Sequence, residues 1–193
     1  LSEDQIELSP GLHQWWDRAK TLWEEHKSTK GMSLMQRIDY QSGLSKQFPI
    51  PEIKVVYNRA GMHLVAAKIM DRRAVVANGL YWASVRTEAE GDYLCAILNA
   101  PVTTDLARPL MSYGKDERDI HKHVWELPIP PFDEANPMHA RLSILGAAAE
   151  RIVATFAINP DLHFAATRRH IRQLVDVAPE GREINDIVYE LIS

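Results

Sequence analysis

The sequence predicts an α+β (mixed α/β) fold: a hairpin-rich central sheet flanked by helices, with a tryptophan-rich helix at the N-terminus and further helices at the C-terminus. Three observations predict it. β-Branched and aromatic runs crowd residues 53 to 85, with turn chemistry between them. Apolar residues recur at helical spacing on both sides of that stretch. Ser9-Pro10, Asn136-Pro137 and Asn159-Pro160 each set a capping side chain before a proline, which suits a first helical turn because the N–H that proline lacks is unpaired there anyway.

Leu12, Trp15, Trp16, Ala19, Leu22 and Trp23 give a helix over about 10–27. Three tryptophans on one stripe must pack on the rest of the domain or on a neighbour, since water tolerates no such patch cheaply. Residues 31–51 hold Gly43, Pro49 and Pro51 and read as a connection with a short helix near 34–40. Four strand-like runs follow, at 53–57, 64–69, 74–77 and 80–85, separated by Asn58-Arg59-Ala60-Gly61, Asp71-Arg72-Arg73 and Asn78-Gly79. Thr87 and Glu90 have the spacing of a capping box, opening a helix that carries Tyr93, Leu94, Ile97 and Leu98 to about 99. A new turn starts at Pro101, residues 109–119 suit an exposed loop, and 121–127 returns as a strand before Pro128-Ile129-Pro130-Pro131. Met138, Leu142, Leu145, Ala149, Ile152 and Phe156 make a long helix to about 157, with Gly146 a soft point. Two more helices are expected, one to about 175 and one over 184–192. The implied division is 1–52 for the first helix and lead-in, 53–135 for the sheet core, and 136–193 for helices packing on it.

Composition bounds what this fold can do. With 193 residues, 46% hydrophobic and 25% charged, the chain can bury a real core. Cys95 is the single cysteine and lies in an apolar run, so no intrachain disulfide forms, the thiol is expected to be buried and inert, and a reducing, cytoplasmic setting follows. No stretch nears the roughly 18 apolar residues of a membrane helix. No basic-then-apolar leader opens the chain, and its first residue, Leu1, suits an excised piece of a longer polypeptide. A net charge of −4 is the wrong sign for indiscriminate coating of nucleic acid, so any DNA contact is local. Arg59, Lys68, Arg72, Arg73 and Arg86 in the middle and Arg168, Arg169 and Arg172 late are where a basic face belongs.

Catalytic signatures are missing from the sequence. None of its nine glycines forms the loop that lets backbone amides close on a phosphate or dinucleotide. Amino-directed DNA methylation needs an Asn- or Asp-Pro-Pro-aromatic motif to hold a flipped base. Ile129-Pro130-Pro131-Phe132 lacks its polar residue and reads instead as a proline-ordered approach to the long helix. Asp119, His121 and His123, with His163 and His170 later, have no cysteine pair or His-Glu-x-x-His spacing beside them, so no metal site is expected.

The middle segments, taken together, resemble the C-terminal target-recognition (specificity) region of bacterial N-6 adenine DNA methylases of restriction-modification type. The resemblance rests on Val55-Val56-Tyr57-Asn58-Arg59-Ala60-Gly61, Leu64-Val65-Ala66-Ala67, Arg73-Ala74-Val75-Val76 and Leu80-Tyr81-Trp82. Tyr93 to Pro101 is similar to that family's helix ending in Leu-Asn-Ser, with Ala100 in place of the serine, and Val124 to Pro130 to its Leu-Pro-Ile-Pro exit. Ile38-Asp39-Tyr40 and Leu44 to Gln47 match the lead-in, so the similarity covers about residues 10 to 160. Ser112 to Arg118 departs from the family, carrying two acids where relatives are more basic.

The resemblance implies a mixed sheet that closes double-stranded DNA against a methyltransferase catalytic domain, in the same polypeptide or a partner. That domain would bind S-adenosylmethionine and the flipped adenine, and this chain would hold no cofactor and no catalytic residue. Base readout would come from side chains reaching the major groove. The DNA-binding candidates are Asn58, Arg59, Arg72, Arg73, Lys115 and Arg118, in the turns and the loop before the last strand, with Arg168, Arg169 and Arg172 as a secondary basic patch. The alternative is a protein–protein interaction module of a phage-defence assembly, docking through the tryptophan helix and the helix over 137–157.

Overall fold

A computed structural model of the chain describes residues 3–77, 79–110, 120 and 123–193. It divides into two compact units, Leu1–Phe48 and Pro49–Ser193.

In the first unit, α1 (Glu3–Glu7) turns through a Ser9 N–H to Ile6 carbonyl bond into α2 (Pro10–His26), with Pro10 in the first turn as expected. The three tryptophans do not share one fate. Trp16 is buried, Trp23 is half-buried and donates its indole N–H to the Met32 carbonyl at 3.0 Å, and Trp15 stays 56% exposed. Helix α3 (Leu34–Ile38) opens on a reciprocal capping box, Ser33 with Gln36. Asp39 then ties the following turn by accepting the N–H groups of Leu44 and Ser45 at 3.0 and 2.9 Å. Those bonds hold its carboxyl below the usual carboxylate range.

The second unit is built on three strands: β1 (Ile53–Asn58), β2 (Ala66–Ile69) and β3 (Leu80–Val85), in the order β2-β1-β3. Both neighbours run antiparallel to β1, with Tyr57 opposite Ala66 on one side and Tyr81 on the other. The sheet is therefore antiparallel throughout, where the resemblance implies a mixed one. Only β1 and β2 form a hairpin. Strands β2 and β3 run parallel to each other across β1, so residues 70–79 must travel the length of β1 to join them. The expected strand over 74–77 is this irregular crossover. It is held where Lys54, fully buried on β1, donates its ammonium to the Ala74 carbonyl.

Alternation along β1 sends Val55 and Tyr57 to one face, where they pack with Leu64, Leu98, Ala107, Ile120 and Val124. That face is covered by α4 (Glu88–Asn99), followed directly by α5 (Pro101–Ala107). The far side of α4 offers Tyr93, Ala96 and Ile97 to α6 (Pro137–Ala154) and α8 (Pro179–Ile192), whose Leu142, Leu145, Ile184, Val188 and Ile192 complete a second core. Helix α4 is thus the middle layer between sheet and helices. Gly146 is a contact point rather than a soft point: a Cβ there would lie 2.3 Å from the Asp92 carbonyl oxygen, so only glycine lets α6 cross α4 this closely. Lys68 of β2 reaches over to Asp92 of α4 at 2.6 Å and to Glu150 of α6 at 3.5 Å. Burial alone would push its ammonium down, and the hydrogen bond and charge of Asp92, with Glu150, outweigh that and raise it.

The Cys95 thiol is half-buried and its pKa is pushed up to about 12 by burial, as an inert thiol requires. The expected strand over 121–127 is not formed in its described part, where Val124–Glu126 makes a single 3-10 turn. Helix α7 (Phe164–Val177) begins later than expected, and α8 begins earlier, at Pro179. No described helix is long and apolar enough to cross a membrane.

Candidate nucleic-acid interface

The antiparallel register divides the sequence-derived candidates between opposite ends of the sheet. Asn58 closes β1 beside Leu80, whereas the Asp71-Arg72-Arg73 turn follows Ile69, which pairs with Lys54 at the start of β1. Four residue steps of about 3.3 Å, from Lys54 to Asn58, separate those ends by roughly 13 Å.

At the Lys54 end every candidate cation has an acid. Arg72 pairs with Glu52. Arg73 makes a two-pronged contact with Asp71 at 3.2 Å on each arm, and its backbone N–H reaches the same carboxylate at 2.8 Å. Arg86 pairs with Glu90 at 3.3 Å. Arg72 and Arg73 thus sit in a neutralised turn, which weakens any pull on a phosphate.

The Asn58 end is built differently. The Asn58 side chain is buried and fully used: its amide N–H groups go to the carbonyls of Ala60 and His63, each at 3.0 Å, and its oxygen accepts the Val65 N–H at 2.8 Å. It shapes the loop over 59–65 and cannot reach a base edge while those bonds stand, which corrects its expected role as a reader. Gly61 lies at φ +140°, and a Cβ there would come within 3.1 Å of the Asn58 amide nitrogen, so the loop needs glycine at this position. The Leu64 N–H donates to the Thr104 hydroxyl at 3.1 Å, fastening the loop to α5. Arg59 is exposed on it, with its backbone N–H directed to the Gly79 carbonyl at 3.4 Å.

This loop meets α7. Gly61, Met62 and His63 on one side and Phe164, Ala165, Arg168 and Arg172 on the other line a hollow of about 160 Å3. Arg108 closes one flank, its guanidinium 3.5 Å from the Met62 carbonyl and 3.5 Å from Asp105. Among the described residues no carboxylate lies within 4 Å of Arg168 or Arg172. Partial burial, then the charges of Arg172 and Arg108, hold the His63 imidazole below its ordinary pKa, against a weaker opposite pull from Asp105 and Asp176. Burial raises the Asp176 carboxyl, while Arg172 and His63 lower it.

An aromatic group stands beside the same end of β1. Tyr57 stacks on Tyr81 at 5.7 Å, and the Trp125 indole, 48% exposed, meets Tyr57 edge-on and donates its N–H to the Tyr57 hydroxyl at 2.8 Å.

Of the secondary patch, the structure brings Arg168 and Arg172 together, four residues apart on one helical face, and leaves Arg169 off the hollow. Lys115 and Arg118 lie outside the described residues, as does His121. His63, Arg108, Phe164 and Trp125 were not among the sequence-derived candidates. Among the described residues no group of three His, Cys, Asp or Glu side chains is placed to hold a metal ion. The site's chemistry is that of guanidinium and imidazole groups around a small hollow with exposed rings nearby, which suits holding an anion. In comparisons with protein-family models, with curated proteins and with solved structures, nothing matches this chain.

Proposed function

We propose that the chain is a DNA target-recognition region that grips double-stranded DNA through the Asn58 end of its sheet and works beside a methyltransferase catalytic domain that binds S-adenosylmethionine. The observation that carries this reading is the unpaired charge there: Arg168 and Arg172 without a close carboxylate among the described residues, across the hollow from His63, in a chain whose overall charge is negative. Local basicity of this kind is what DNA contact by an acidic protein demands. The exposed Trp125 and Phe164 rings add surfaces on which bases or sugars can rest. The residues that resemble the methylase family include the end of β1 and the start of this loop, Val55 to Gly61, and the exit over 124–130.

Duplex binding measured by fluorescence anisotropy across a salt series tests the reading. The expected result is a log affinity that falls linearly with log salt, by about 0.9 per phosphate neutralised. A partner-docking module would respond little to salt. That second reading draws on Ile144, Ile158 and Val177, which stand 59%, 72% and 63% exposed on and between the C-terminal helices, and flat salt dependence or no duplex binding would favour it.

A further inference from the structure

We propose that the hollow between the Gly61–His63 loop and α7 is a socket for one phosphate group, held by Arg168, Arg172 and His63, and that filling it draws a proton onto His63. This deepens the reading proposed above and rests on it for the source of the phosphate.

Size comes first. At about 160 Å3 the hollow has the room of about five waters at roughly 30 Å3 each, enough for a tetrahedral oxyanion. Chemistry comes second. Two guanidinium groups one helical turn apart give forked donors from one wall, and the imidazole faces them from the other. The hollow runs along the side of α7, from Phe164 and Ala165 in its first turn to Arg172. Construction comes third. The loop wall is fixed by the three Asn58 bonds and the Leu64–Thr104 bond, so the socket exists before a ligand arrives.

The proton follows from the company His63 keeps. The described groups that act on it are Arg172 and Asp176 of α7, Asp105 of α5, and Arg108 just after α5. Partial burial first, and then the two arginines, discourage an imidazolium while the hollow is empty. A phosphate between them and His63 reverses that field, so the ring takes up a proton as the anion binds.

The test follows the ring signals of His63 by NMR through a pH titration of the whole chain, assigned with His63→Gln, in three arms: no ligand, inorganic phosphate, and a duplex of about 20 base pairs. In the duplex arm the titration midpoint is expected to move upward. Duplex affinity should rise as pH falls from 8 to 6 in the native chain, and lose that rise in His63→Gln. Arg168→Gln with Arg172→Gln should lower the salt slope by about 0.9, one phosphate, with Arg169→Gln as the unchanged control. If the double variant fails to fold, Arg168→Gln alone, on an exposed position, carries the same comparison. A shift with inorganic phosphate but none with duplex keeps the socket and overturns DNA as its source. Duplex binding that leaves both His63 and the salt slope of the variants unmoved overturns the socket while the recognition reading stands. No shift in either ligand arm overturns the socket, whatever the duplex does.

Discussion

The two ends of the sheet carry similar numbers of arginines and pair them to different extents. At the Lys54 end, Arg72, Arg73 and Arg86 each face a carboxylate from their own neighbourhood, so their charge is spent within the fold. At the Asn58 end a neutral amide organises the loop, Arg108 pairs with Asp105 at 3.5 Å, and Arg168 and Arg172 have no carboxylate within 4 Å among the described residues. The lesson is that arginine count along a sequence says little about a basic face. What matters is whether a carboxylate sits within reach, whether two residues away as for Arg73 and Asp71 or twenty as for Arg72 and Glu52.

The comparison breaks most visibly at its hub. Asn58→Ala strips three hydrogen bonds from a buried loop and should cost about 3 kcal/mol in denaturant unfolding. Asp71→Ala at the other end should leave the unfolding midpoint unmoved; an equal loss at both ends would erase the distinction. Next in size, removing Arg168 and Arg172 together should weaken duplex binding about tenfold, the scale of one charge-assisted hydrogen bond, with unchanged circular dichroism. Removing Arg72 and Arg73 together should change affinity less than twofold, and the reverse ranking would transfer the interface to the Lys54 end.

A pH series sharpens the same contrast by a smaller amount. The folded pKa of His63 lies below its ordinary 6.5, so the unfolded chain takes the proton first. Stability present above pH 6.5 is therefore lost as pH falls through the lower folded value, and His63→Gln should flatten that part of the curve. Asp176, raised above 3.8, acts oppositely and only at lower pH, so the His63 effect is read between about 5 and 7. The smallest expected change is Arg169→Gln, which should alter neither affinity nor stability.

Much of the helical framework was legible because its starts are local chemistry. Asn136 accepts the Met138 N–H at 2.9 Å, and Thr87 accepts the Glu90 N–H at 3.1 Å. Even there the Glu90 carboxylate turns to the Arg86 N–H at 2.7 Å rather than completing the box with Thr87. The run over 74–77 misled because alternation cannot report connectivity: a β-branched segment forced to cross a sheet looks like a strand in sequence. Val75, 43% exposed, shows how little that segment packs. The site was half legible. The Asn58 turn and the Arg168, Arg172 pair could each be seen, but their meeting across His63 depends on how α7 returns to the sheet, which no local pattern encodes.

One side chain at the end of α4 occupies part of the β2 edge of the sheet. Asn99, the last residue of α4, offers its amide to both outward groups of Ala66, accepting the N–H at 3.0 Å and donating to the carbonyl at 2.9 Å. It imitates the next strand for one residue and stops there. An incoming peptide would have to evict that amide before it could pair with Ala66, so this part of the β2 edge is already occupied. The last residue of a covering helix thus doubles as an edge cap for the sheet beneath it.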